Sequence, residues 1–187
     1  MKPPIKKPLV IQPNFCACGD HAWANLTRGY VTLVSTDDAE ILTKKWHAHK
    51  SDKTFYAFRT IHIVGTGREN AVRISEYLHR IICPASMVDH KNRNTMDNRR
   101  PNLRPATRSK NAANSTLKNT GGSSAYRGVC WDASRGKWVA QINVNKRHIY
   151  LGRFAREEDA ARAYDVAAAA AFGNFASLNF TQEREAA

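Results

Sequence analysis

Between Lys137 and Asn145 the chain changes sides at almost every residue. Trp138, Ala140, Ile142 and Val144 fall on one face of an extended strand, Lys137, Gln141 and Asn143 on the other. A period of two demands a sheet with one buried face and one wet face. Tyr126–Trp131 and Arg147–Phe154 flank this strand through the short turns Ser134-Arg135-Gly136 and Asn145-Lys146, so three antiparallel strands are expected. Residues 157–172 then read as a helix. Glu157, Glu158 and Asp159 occupy its first turn, where the macrodipole favours acids, and Gly173 ends it. Its alanine run offers a smooth surface to the apolar sheet face. The other sheet face stays open, and it carries the polar residues.

Charge singles out the same region. The chain has 187 residues and a net charge of +13, and residues 91–153 hold 14 Lys and Arg against 2 Asp and Glu. Residues 154–187 hold 3 against 6. A positive field confined to one region fits a phosphate polymer as partner and salt-dependent binding. No run of about 18 apolar residues exists, so no membrane partner is expected. The basic, proline-broken start, Met1–Pro13 with Lys2, Lys6 and Lys7, reads as a flexible arm rather than a secretion signal, which suggests an intracellular protein.

Upstream, Tyr30–Val34 and Thr54–Val64 read as strands, and Asp37–Trp46 as a helix with Thr36 available to cap it. Ser75–Ile82 suits a short helix or a strand, and Thr107 can cap a helix that carries Asn111. Residues 118–124 have linker composition. Four domains' worth of organisation follow: residues 1–69 as basic arm and small β-rich module, 70–117 as a second unit, 118–124 as linker and 125–181 as the sheet-and-helix domain.

Four cysteines are too few and too scattered for a disulfide framework. Cys16-x-Cys18 with His21 has zinc-binding residue types. Its spacing is one rather than two to four and no second pair follows, so the thiols read as structural or incidental.

The adjacent Asp89 and His90, ending an apolar segment, pair an oxygen ligand for a hard cation with an imidazole that can take a proton near neutral pH. Around them stand Leu78-His79-Arg80, Val88-Asp89-His90, Asp97-Asn98-Arg99-Arg100-Pro101-Asn102-Leu103-Arg104 and Asn111-Ala-Ala-Asn114. This series resembles the HNH nuclease family, particularly its phage and intron homing-endonuclease branch. The resemblance implies a ββα-metal unit over 70–117 holding one Mg²⁺ or Mn²⁺ per chain. Asp89 and Asn111 would be the ligands, His90 the general base, and Asn102 the residue that fixes the loop and orients the histidine. Arg99, Arg100 and Arg104 would clamp the DNA backbone. His79 reads as packed or phosphate-contacting, and His47, His49 and His62 lack a convincing partner set. One base and one metal per chain imply strand nicking.

Tyr126-Arg-Gly-Val-Cys-Trp131, Gly136-Lys-Trp138, Tyr150-Leu-Gly-Arg-Phe154, Glu158–Asp165 and Leu178-Asn-Phe180 resemble the DNA-binding domain of plant ethylene-response factors, which also occurs in phage and bacterial endonucleases. The resemblance implies a sheet laid in the major groove of double-stranded DNA. The positions matching its contacts are Arg127, Lys137, Gln141, Asn143, His148 and Tyr150, with Trp131 and Arg135 in the adjacent turn. Cys130, Asn143 and His148 stand where the plant domains often have Arg, and Ala155 and Arg156 replace the usual helix cap.

These readings together give an α+β chain: a β-rich N-terminal module, a ββα-metal nuclease unit, and a three-stranded antiparallel sheet packed on one helix. The expected function is a divalent-metal-dependent DNA endonuclease of homing type, a phosphodiester hydrolase with no small-molecule cofactor. It would be a monomer rather than a dimer, encoded by a phage or mobile element and working in a bacterial cytoplasm. The alternative is a non-catalytic, sequence-specific DNA-binding regulator.

Overall fold

The computed structural model describes residues 12–52, 54–63, 72–115 and 122–180. The expected basic arm up to Ile11 and the linker residues 118–121 lie outside them. The chain forms two compact units, residues 1–105 and 106–187. That division falls inside the segment expected to be a nuclease unit, and away from residues 69 and 118–124.

Unit 1 is built from small sheets. Strands β1 (Asn14–Phe15), β2 (His21–Asn25) and β3 (Val31–Ser35) form one antiparallel sheet. Strands β4 (His47–Ser51), β5 (Thr54–Ile63) and β6 (Val72–Tyr77) form a second. Helix α1 (Leu78–Ile82) follows directly, so Ser75–Ile82 is strand first and helix second. A hairpin of β7 (Val88–His90) and β8 (Leu103–Pro105) pairs Asp89 with Arg104. Ala22, Val34, Leu42, Trp46, Leu78, Met96 and Leu103 form the buried core.

The helix expected over 37–46 is a correction. Thr36–Thr43 winds as a 3-10 helix, and Thr36 does not cap it. Its hydroxyl instead donates to the Gly19 carbonyl at 2.6 Å. With Asp37, Asp38, Thr36 and Thr43 in eight residues, side chains compete for the backbone bonds that an α-helix would need.

Unit 2 begins with helix α2 (Arg108–Ala113), capped by Thr107, whose Oγ1 accepts from Lys110 N at 3.2 Å. Strands β9 (Val129–Asp132), β10 (Lys137–Val144) and β11 (Arg147–Phe154) form an antiparallel sheet in the order β11-β10-β9. Helix α3 (Glu157–Phe172) covers one face of it, and Gly173 ends that helix at φ +53°. Ala140, Ala160 and Ala161 are buried between sheet and helix, while Ile142, Tyr164, Ala168 and Phe172 fill the adjoining core. Arg156 occupies the N-cap position without a side-chain bond, so the helix starts on its acidic turn alone. Asn145 and Lys146, both at positive φ, make the two-residue turn between β10 and β11.

The first strand starts at Val129 rather than Tyr126, because the chain turns at Gly128. There φ is +75°, and a Cβ would lie 2.0 Å from the Tyr164 ring. Only glycine fits that approach. The segment after α3 is latched by Asn179. It accepts from Arg127 N at 2.7 Å and donates to Arg127 O at 3.1 Å, while Asp165 accepts from Asn179 N and Phe180 N.

Candidate nucleic-acid interface

The face of the unit 2 sheet turned away from α3 is a surface of paired polar side chains. Gln141 on β10 stands opposite Tyr150 on β11, and Asn143 opposite His148. His148 Nδ1 lies 3.3 Å from Asn143 Oδ1. Lys137, Asn143, His148 and Tyr150 are exposed, and Gln141 is half-buried. These five expected residues therefore share one face. Trp131 is 42% exposed and packs edge-on against Trp138 at 5.0 Å.

Arg127 does not join them in the same way. Its backbone is held by Asn179, and its guanidinium donates to the Ser115 carbonyl.

Arg153 belongs to this face although simple alternation from Tyr150 would turn it inward. The ladder pairs Gln141 with Tyr150 but Ala140 with Gly152, so Leu151 is an extra residue in β11. This bulge shifts the period by one and sends Arg153 outward, opposite Val139. Arg153 Nε donates to Asp132 at 3.1 Å, its Nη1 donates to the Tyr150 hydroxyl at 3.2 Å, and its guanidinium lies over the Tyr150 ring. The Ser134 hydroxyl, and after it Arg153, hold the Asp132 carboxyl below the usual carboxylate range. The signal in the sequence was Gly152 inside a strand, which often marks a bulge.

The expected catalytic cluster in residues 78–104 has a different character. Asp89 is buried and faces Arg104, which donates to its Oδ2 from Nε and Nη2, both at 2.7 Å. His90 is buried, with Nε2 3.2 Å from Asn98 Oδ1. An amide oxygen accepts, so that nitrogen carries the proton. Burial holds the His90 pKa below its ordinary value, against an opposing hydrogen bond to Asn98. Asn111 is on α2 in the other compact unit. Within its own unit the Asp89 carboxylate is engaged by the Arg104 guanidinium.

The three arginines expected to clamp DNA are each engaged within the unit. Arg99 forms a two-pronged pair with Asp97, Arg100 with Asp38, and Arg104 with Asp89. Asn98, fully buried, donates to Thr32 Oγ1 at 2.9 Å. Asn102 accepts from Asn92 N at 3.0 Å and donates to the Asp97 carbonyl at 2.7 Å, bracing residues 91–102. Leu33 N donates to Met96 O, and Asn98 N to Leu33 O, so this loop is bonded to β3. Asp89, Asp97, Asn98, Asn102 and Arg104 thus form a buried hydrogen-bonded group within unit 1.

The histidines read as partnerless also pack. His49 stacks on Phe58 at 4.7 Å and His47 meets the same ring edge-on. His79 lies against Tyr56, Tyr77 and His90, and burial pushes its pKa down to about 3. The side chain of His62 lies outside the described residues.

Comparison with known proteins agrees with the sheet. Residues 124–174 match the AP2 domain family. The AP2-like ethylene-responsive transcription factor AIL7 of Arabidopsis thaliana is 45% identical over 65 residues, which are 34% of this chain and 13% of that protein. The Arabidopsis ethylene-responsive transcription factor ERF024 is 46% identical over 68 residues, 35% of this chain and 37% of that protein. The chain AP2-like factor ANT of the same plant is 39% identical over 83 residues, 42% and 15% of the two chains. The chain therefore spans well under half the length of these relatives.

Two expectations are corrected by these findings. The matched relatives are transcription factors and not nucleases, so the reading as a hydrolase, an HNH endonuclease and a phage protein is overturned. They are plant proteins, so the expected phage origin and bacterial cytoplasmic setting are overturned as well. No helix among the described residues is long and apolar enough to cross a membrane. Residues 124–174, which hold the three-stranded sheet and α3, are thus identified as an AP2 domain.

Proposed function

We propose that the protein is a sequence-specific DNA-binding regulator that sets the outer face of its AP2 sheet into the major groove of double-stranded DNA. The observation that carries this is the pair of cross-strand rows Gln141–Tyr150 and Asn143–His148, side by side opposite the helix-covered face, with all but the half-buried Gln141 exposed. A two-stranded ribbon fits the major groove, where each base pair presents its own donor and acceptor pattern. Lys137, Lys146, Arg147 and Arg153 lie on the same two strands or their turn and supply cations for flanking phosphates.

The choice of residues also suggests a preference. Asn143 and Gln141 carry amides, which pair in two-pronged fashion with adenine, whereas arginine pairs with guanine. With Asn143 and His148 where the plant domains often have arginine, the proposed site is richer in adenine contacts and poorer in guanine contacts. One AP2 domain per chain engages one site, so the complex is a monomer on DNA.

The test is selection from randomised duplexes by the purified chain, followed by sequencing and by sedimentation of the complex. The expected result is one enriched motif containing adenine steps, bound one chain per site. Enrichment of no motif at all would contradict the proposal.

A further inference from the structure

Residues 16–21 form a tight turn that leads into β2. Gly19 N donates to Cys16 O and Cys16 N to His21 O, both at 3.0 Å, with Gly19 at φ +77°. The Thr36 hydroxyl fixes the Gly19 carbonyl from the neighbouring 3-10 segment. The folded turn thereby gathers what linear spacing keeps apart. Cys16 Sγ, Cys18 Sγ and a ring nitrogen of His21 all lie within 4.8 Å of one another.

From this geometry we infer that Cys16, Cys18 and His21 bind one Zn²⁺, with the fourth coordination position left to water. Two ligands on a tetrahedral zinc, with Zn–S near 2.3 Å and Zn–N near 2.0–2.1 Å, must stand about 3.6 Å apart. Cys18 Sγ and His21 Nδ1 stand 3.6 Å apart. Cys16 Sγ needs only a small movement to complete the triangle. Cys18 N already donates to Cys16 Sγ at 3.3 Å, which holds the two cysteines in one tight turn. Both thiols are free of disulfides. Soft sulfur with imidazole selects zinc over magnesium or calcium, and binding releases the thiol protons to solvent. The metal would tie β1, only two residues long and exposed, to β2.

The experiment uses the full chain, purified in reductant, loaded with Zn²⁺ and freed of excess on a chelating resin. Metal analysis should give one zinc per chain for the wild type and for Cys83→Ser, and well under half that for Cys18→Ser and His21→Asn. Cobalt loading should give thiolate charge-transfer absorption that falls to well under half in Cys18→Ser. A measurement independent of any variant is alkylation of the wild type: zinc should slow modification of Cys16 and Cys18 at least tenfold and leave Cys83 unchanged. A wild type without zinc, full zinc in Cys18→Ser, equal alkylation with and without zinc, or recovery of a Cys16–Cys18 disulfide from reducing buffer would each overturn the inference.

Discussion

Arg153 is turned to the outer sheet face by the bulge at Leu151, and its Nη1 donates to the Tyr150 hydroxyl at 3.2 Å. The contact fixes the ring of a residue that stands opposite Gln141 in the middle of the polar face. Arg153→Ala removes a cation and loosens Tyr150 together. DNA affinity should fall about tenfold, and the slope of affinity against salt should become shallower by about one ion. Fluorescence anisotropy across a salt series checks both.

Gly128→Ala tests the close approach of the chain to Tyr164. The new Cβ would meet the ring at 2.0 Å and the Gln141 carbonyl at 2.6 Å, at a φ that L-residues rarely adopt. Gln141 N donates to Gly128 O at 2.8 Å, so neither side can retreat freely. A loss of about 2–4 kcal/mol is expected in urea unfolding of the C-terminal unit.

The sheet and α3 of unit 2 were legible in the sequence because their signals are local. Alternation over Lys137–Val144, turn residues at 134–136 and 145–146, and an acidic first turn each speak through residues close in sequence. The bulge escaped because it breaks that same alternation. Unit 1 was harder for a different reason. Arg100–Asp38 and Asn98–Thr32 join residues more than 60 positions apart, and nothing near Arg100 or Asn98 announces such a partner. The run Asp97–Arg104 reads as a chemical site, and its side chains also hold the unit's loops through Asp97–Arg99, Asp38–Arg100 and Asp89–Arg104. Residue types suited to hold a cation and a proton are also suited to hold a loop.

His79 should make unit 1 sensitive to acid. In the unfolded chain it takes up its proton near pH 6.5, in the folded chain only near pH 3, because burial disfavours the charged ring. Unfolding therefore binds a proton throughout that window. Stability is full above about pH 6.5 and declines as the pH falls, by roughly 2 kcal/mol at pH 5 from this group alone. His90 shifts in the same direction and adds to the slope. Urea midpoints at pH 7 and pH 5 measure the loss, and His79→Phe should shrink the difference.

Arg104→Met leaves the buried Asp89 without its guanidinium. The cost should be about 3–5 kcal/mol in urea unfolding, because an uncompensated buried charge is worse than no charge. The double variant Asp89→Leu with Arg104→Met should recover most of it. If Arg104→Met unfolded at the wild-type urea midpoint, the pair would not have the structural role assigned to it.

The central claim is that the outer sheet face of the AP2 domain chooses the DNA sequence. It is tested most directly by comparing binding to the selected duplex and to a scrambled duplex, for the wild type and for the triple variant Gln141→Ala, Asn143→Ala, His148→Ala. The wild type should prefer the selected duplex by about a thousandfold or more. The variant should bind both alike, with its circular dichroism unchanged. A preference that survives in the variant would contradict the account.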